Sequence, residues 1–245
     1  MPGNYAILGA SGTIGATLSR QLTLAGHKVL MLGRDSGKLA ALGQEIGQSW
    51  KAVNLDNSQE LEDVLRHHAE QSGPWSGMAN CIGSLILKPA HLTSDEEFRQ
   101  TVETNLFSSF ALVRAAGKLM REGGGSVVLV ASAAAEIGIS NHEAIAAAKG
   151  GVISLARSAA ATYAPQQIRV NVVSPGLTRT ELTRRIWSNP ASAAASQEMH
   201  ALGKLGEPAD VANLIAWLLD PTNSFITGQV IGVDGGLGHV LARKK

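Results

Sequence analysis

A single lysine stands in the run HEAIAAAKGG over residues 142–151, with small apolar residues before Lys149 and two glycines after it. A charge in such a stretch either points to water or acts on a bound group. Helical spacing places His142 and Ile145, seven and four residues earlier, on the same face as Lys149. An imidazole titrates near pH ~6.5 and can pass on a proton; an isoleucine has no such chemistry. The plainer reading of His142 is a polar residue at a helix start, with Asn141 as N-cap and Glu143 in the first turn.

A second cluster follows the first apolar run, where GASGTIG carries Gly9, Gly12 and Gly15. Glycines at such a turn let the chain reverse tightly, let backbone approach a pyrophosphate, and let the next helix pack on the sheet. The helix start then offers free N–H groups and a positive dipole end to phosphate. A merely tight strand-to-helix turn is the plainer alternative. The second apolar run ends in Gly33-Arg34-Asp35. An arginine there suits the 2′-phosphate of NADP, whereas a carboxylate suits the ribose hydroxyls of NAD. Gly33 and Arg34 therefore favour NADP, and Asp35 keeps NAD open. The one cysteine, Cys81, excludes an intramolecular disulfide and a cysteine-based zinc site, and its apolar setting predicts a buried inert thiol. No metal is expected.

These residues need a scaffold. Apolar residues make up 44% of the 245 and aromatics only 4%, which predicts a folded chain with an aliphatic core. A net charge of +1 gives no pull toward nucleic acid or a membrane surface. With no evident signal peptide and no long uncharged apolar stretch, a reducing cytoplasmic setting is expected. Strands are predicted near 5–9, 28–33, 50–54, 77–81, 126–131, 168–173 and 229–233. Helical patterns lie near 12–26, 36–47, 57–71, 94–122, 141–164 and 207–219. This alternation predicts an α/β fold: one Rossmann-type doubly wound parallel sheet of about seven strands with helices on both faces. Residues 1–245 read as one dinucleotide-binding domain, and 177–205 as a candidate substrate lid or an irregular surface excursion.

On these motifs the chain resembles the short-chain dehydrogenase/reductase family along nearly its whole length. Besides GASGTIG it carries NCIG at 80–83, TNLFSSF with Asn105, VVLVAS ending at Ser132, and AAAKGGV with Lys149. IRVNVVSPGLTRT at 168–180, GEPADVANLIAWLL, ITGQ and VDGG follow in the family's order. The resemblance implies that Gly9, Ser11, Gly12, Thr13, Ile14 and Gly15 hold the pyrophosphate and adenosine ribose. It implies that Leu55 lies against the adenine, and that Asn80 and Gly83 support the cofactor floor. Pro175, Gly176 and Thr180 would cradle the nicotinamide, and Lys149 would hold its ribose. Ser132 would bond a substrate carbonyl or hydroxyl, and Asn105 would order a water near Lys149.

Three departures stand out. Gly12-Thr13 shifts the middle glycine relative to the commonest family spacing, and Asn54 replaces an aspartate that usually contacts adenine. The family's catalytic pair is Tyr-x-x-x-Lys, and here Ile145 holds the tyrosine's position. Tyr5 and Tyr163 are poorly placed to replace it. Enoyl-acyl carrier protein reductases, relatives of this family, set their tyrosine seven residues before the lysine, where this chain has His142.

Three readings follow. The first is an NAD(P)-dependent oxidoreductase whose proton comes from His142, from a water ordered by Ser132 and Lys149, or from solvent. The second is a dinucleotide-binding sensor or assembly protein with little catalysis. The third is an enoyl-type double-bond reductase. The substrate is expected to be a small, partly apolar molecule, since the lid carries Trp187 and Met199. A homodimer or homotetramer through 94–122 and 141–164 is expected by resemblance.

Overall fold

A computed structural model describes residues 2–54 and 57–241. Strands β1 (Asn4–Leu8), β2 (Lys28–Gly33), β3 (Ser49–Ala52), β4 (Gly77–Asn80), β5 (Gly125–Val130), β6 (Ile168–Pro175) and β7 (Val230–Val233) form one sheet. Their order is β3-β2-β1-β4-β5-β6-β7, and every neighbouring pair is parallel. In chain order the helices are α1 (Thr13–Leu24), α2 (Ser36–Ile46), α3 (Ser58–Ser72), α4 (Asp95–Val102) and α5 (Ser108–Leu119). They continue with α6 (Glu143–Tyr163), α7 (Arg184–Trp187), α8 (Pro190–Met199) and α9 (Pro208–Leu219).

The near-continuous apolar strands reflect burial on both faces. In β1, Tyr5 and Ile7 join the core beneath α1, α2 and α9, while Ala6 and Leu8 join the core beneath α3, α5 and α6. That is the two-residue period of a strand, with apolar partners waiting on each side. Each fully buried leucine or isoleucine adds about 1.5–3 kcal/mol relative to exposure.

Three elements differ from their sequence reading. The single helix expected over 94–122 is α4 and α5 joined by a π-turn at Glu103–Phe107, in which the Ser108 N–H reaches back to Glu103 O. The extra residue in that turn rotates the helix face and buries Asn105 completely. At the start of α6, His142 takes the N-cap position without a side-chain cap bond, and Asn141 adopts left-handed φ of 63° instead. The stretch 177–205 contains α7 and α8; Asn189 caps α8 through Ser192 N–H, and Pro190 supplies its first residue. No described helix is long and apolar enough to cross a membrane.

Because all strands run parallel, their C-terminal ends share one edge. The order reverses between β1 and β4, and the loops leaving the strands diverge there into a crevice.

Candidate active site

The chain leaves β1 through a turn that only glycine fits. Gly9 and Ala10 both donate to Leu32 O (2.8 and 3.1 Å), and Gly12 N–H returns to Gly9 O at 3.0 Å. Gly9 has φ of 76°, and a Cβ there would lie 2.8 Å from the backbone of Cys81 and Ile82. A Cβ on Gly15 would collide with Gly9 O, so α1 packs directly on the turn. Gly12 caps α1 without a side chain, and the first turn carries no acidic residue. Its leading N–H groups are therefore left for an anion.

At the end of β2 a Cβ on Gly33 would come within 3.0 Å of Ser11 Oγ. Arg34 is exposed and has no hydrogen-bond or ion-pair partner among the described residues. Asp35 is already engaged: its Oδ1 accepts from Lys38 N–H at 2.9 Å as the N-cap of α2, and Oδ2 lies 3.8 Å from Lys38 Nζ. Leu55 lies outside the described residues.

A cavity of about 230 Å³ opens at the strand ends. It brings Gly12, Thr13 and Ile14 together with Gly83, Ser132 and Lys149, and with Pro175, Gly176 and Thr180. Gly9, Ser11, Gly15, Arg34, Asn80, Asn105 and His142 do not line it. Asn80 is buried and ties β4 to α5, donating to Ser108 Oγ and Ser109 Oγ (both 3.0 Å) and accepting from Ile82 N–H. The Asn105 amide accepts from Ser84 N–H (3.2 Å) and donates to Ser84 Oγ (2.8 Å) and Thr101 O (2.9 Å). It thus shapes the loop that carries Gly83 and Ser84. Ser132 is half-buried, and its Oγ accepts from Ala134 N–H at 3.2 Å.

Lys149 is the buried charged group lining this cavity, and Glu181 lines it as well. It is 5% exposed, and its Nζ donates to Val130 O at 2.7 Å. Burial disfavours the ammonium and brings its pKa down to about 8. Burial likewise pushes the neighbouring Cys81 thiol up to about 12, so it stays protonated and offers Lys149 no anion at neutral pH. Ile145, 3% exposed, lines the same cavity one turn earlier on α6. Tyr5 is buried in β1, Tyr163 packs against Gly117 at the far end of α6, and neither lines the cavity.

A second, mainly apolar cavity of about 220 Å³ adjoins the first, sharing Leu85, Ser132, Ile145, Pro175, Gly176 and Thr183. His142 lines this one; its Nδ1 donates to Ser140 O at 2.8 Å, and Nε2 has no partner among the described residues. Leu85, Ile139, Ile186 and Met199 supply apolar wall.

The segment after β6 closes over both cavities. Glu181 N–H reaches Thr13 Oγ1 at 3.2 Å, Thr183 Oγ1 donates to Thr178 O at 2.5 Å, and Trp187 Nε1 donates to Thr180 O at 2.8 Å. Arg179 sits 5.9 Å over the Trp187 ring. Sequence reading missed Glu181, Thr183 and His200 as wall residues. Their roles depend on contacts with distant segments; the only local hint was the Asn189-Pro190 helix start, which shows the segment to be ordered.

Among the described residues no group of three histidines, cysteines or carboxylates is placed to hold a metal. A protein-family model described as Enoyl-(Acyl carrier protein) reductase matches residues 9–238. A tropinone reductase homologue of Arabidopsis thaliana is 32% identical, covering 96% of this chain and 92% of its own. A 3-oxoacyl-[acyl-carrier-protein] reductase of Mus musculus is 31% identical over 95% of this chain and 96% of its own. Among solved structures, a short-chain type dehydrogenase/reductase from Mycobacterium ulcerans superposes with a TM-score of 0.93 at 30% identity, covering 98% of this chain and 91% of that one. ElxO with NADP bound gives 0.90 at 26% identity, covering 97% and 99%. The chain therefore belongs to the short-chain dehydrogenase/reductase family of oxidoreductases.

Proposed function

We propose that this protein is an NADP-dependent oxidoreductase acting on a carbonyl or hydroxyl of a small, partly apolar molecule, with Lys149 moving the proton. The observation that carries the reading is the buried Lys149 ammonium in one cavity wall with Ser132, where Ile145 leaves it without a phenol partner.

The residues present fit a dinucleotide. The uncapped start of α1, the side-chain-free turn at Gly9 and Gly15, and the acid-free first helical turn suit a pyrophosphate. Arg34, without a partner among the described residues, suits a 2′-phosphate, whereas Asp35 is occupied in capping α2. When bound, the nicotinamide supplies or accepts a hydride. ElxO was solved with NADP, which supports the same choice here.

Around that group the chain has three tasks. Ser132 Oγ donates to the substrate oxygen and fixes its position. Lys149, with one carbonyl partner among the described residues for its three N–H donors, gives that oxygen a proton during reduction and takes one back during oxidation. Leu85, Ile139, Ile186 and Met199 exclude water and select an apolar tail. The segment from Leu177 to Leu205 is the lid, latched to α1 through Glu181 and Thr13.

A second reading rests on His142, which lines the apolar cavity beside Ile145 and Ser132, its Nε2 without a partner among the described residues. In that case an imidazolium is the donor, and hydride can equally go to a carbon–carbon double bond. Exposed Phe98 and Phe110 on α4 and α5 support a homodimer or homotetramer built on these helices.

The cofactor half is tested by titrating the protein's fluorescence with NADPH and NADH. NADPH should bind at least about tenfold tighter, the scale of one charge-assisted pair. Arg34→Ala should abolish the difference; equal affinities in the parent protein would overturn the NADP assignment. Oxidation of NADPH against ketones, enones and enoyl thioesters then separates carbonyl reduction, double-bond reduction and binding without turnover.

A further inference from the structure

Behind the lid lies a third and larger cavity, of about 570 Å³, between residues 200–206 and the loop that follows β7. Ala201, Leu202, Leu205, Val233 and Val240 give it a mainly apolar lining, to which Lys204, Asp210, Asn213 and Asp234 add polar groups. Among the described residues only Gly176, Leu177 and His200 line both this space and the 220 Å³ cavity beside Ser132.

His200 fills the gap between the two. It is 4% exposed and held at both ring nitrogens: Nδ1 donates to Ser196 O at 2.6 Å, and Nε2 accepts from Leu177 N–H at 3.1 Å. These bonds lock the neutral ring in one tautomer and one orientation. A Cβ on Gly176 would lie 2.5 Å from Nε2, and one on Gly235 would lie 3.5 Å from Cδ2. The ring is therefore sandwiched between the backbones that leave β6 and β7. Both flanking residues are glycines, with no side chain that could fold into the space if the ring were gone.

Resting on the oxidoreductase reading above, we infer that His200 is the end wall of the substrate pocket and sets the longest apolar tail the enzyme accepts. The pocket it closes is smaller than the roughly 300–1,000 Å³ typical of sites for larger organic ligands. Without the imidazole the pocket runs on into the larger cavity behind it. Close-packed interiors relax only partly around a deleted side chain, so the opening persists.

The test is kcat/KM for a series of unbranched methyl ketones of increasing length with NADPH. The parent enzyme should show a length beyond which kcat/KM falls steeply. His200→Ala and His200→Ser should each move that limit to longer ketones, raising the long-to-short ratio of kcat/KM at least about tenfold. His200→Gln, which keeps bulk and an acceptor near Nε2, should restore the parental limit. The serine variant can still bond backbone and guards against misfolding of the alanine one, with circular dichroism checking both. A parent enzyme with no length limit, or an unchanged limit in the folded variants, overturns the inference. Binding of the same ketones measured by calorimetry reports the limit without turnover. An inactive protein that still shows it would sink the oxidoreductase reading alone.

Discussion

Lys149→Met should lower kcat/KM for carbonyl reduction by about 10²–10⁴-fold, the usual contribution of a positioned acid. Methionine fills the buried channel but carries no proton, so the wall keeps its shape. His142→Ala made in parallel should cost far less; the reverse order would move the donor role to His142. The pH profile gives an independent check. Burial lowers the Lys149 pKa from 10.5 to about 8, so the ammonium form is present below about pH 8 and disappears above it. Reduction measured as kcat/KM, which reports the free enzyme, should be flat below about pH 8 and fall tenfold per unit above it. Oxidation, which needs the neutral amine, should rise through the same point. A reduction profile unchanged to pH 9.5 would remove Lys149 from proton transfer. Stability carries the matching sign. The unfolded chain holds the Lys149 proton up to about pH 10.5 and the folded chain only to about 8, so the unfolded state binds more protons in that window. This lysine's contribution to stability therefore grows as pH rises from about 8 to about 10.5, and Lys149→Met should remove that component from the pH dependence of the melting temperature.

Ile145→Tyr should raise carbonyl reduction by about 10²-fold or more, provided proton supply limits the parent enzyme. Position 145 already lines both cavities beside Ser132, one helical turn from Lys149, so a phenol placed there faces the cavities rather than core. The lysine ammonium draws the phenol's pKa down toward working pH, which an isoleucine cannot exploit. The larger side chain grows into open space, which keeps the overpacking cost small. A gain confined to ketones, with enones unchanged, would identify the carbonyl as the reacting group and the parent as a slow version of the same chemistry. Turnover that appears only in the tyrosine variant would instead favour a protein that binds the dinucleotide without catalysing. No gain on any substrate, with cofactor still bound, would place the limiting step elsewhere.

The fold was largely legible because it follows from local rules. Strands buried on both faces must be apolar along most of their length, and β1 from Tyr5, β2 from Val29 and β5 from Val127 are. The turn at Gly9 needs positive φ and no Cβ, so its glycines announced themselves. Lys149 was visible as a charge that a small apolar helix face does not otherwise require. Helical spacing over 94–122 does not reveal the break between α4 and α5. The π-turn at Glu103–Phe107, within which Asn105 bonds Ser84 and Thr101, leaves no mark in hydrophobic spacing. Asp35 was equally ambiguous in sequence, since ribose hydroxyl and helix cap call for the same carboxylate; its bond to Lys38 N–H favours the cap.

By itself, then, the sequence determined the alternating architecture, the glycine turn after β1, and the presence of Lys149 without a tyrosine at 145. Tertiary structure alone decided how deeply Lys149 is buried, and hence the reach of its pKa toward neutrality. It also decided that Thr13 meets Glu181 across 168 residues of chain, and that His200 stands between two cavities. The physical reason is range. Backbone sterics and hydrophobic periodicity act over a few residues and can be read along the chain. Desolvation and cavity shape are set by whichever distant segments the folded chain brings together.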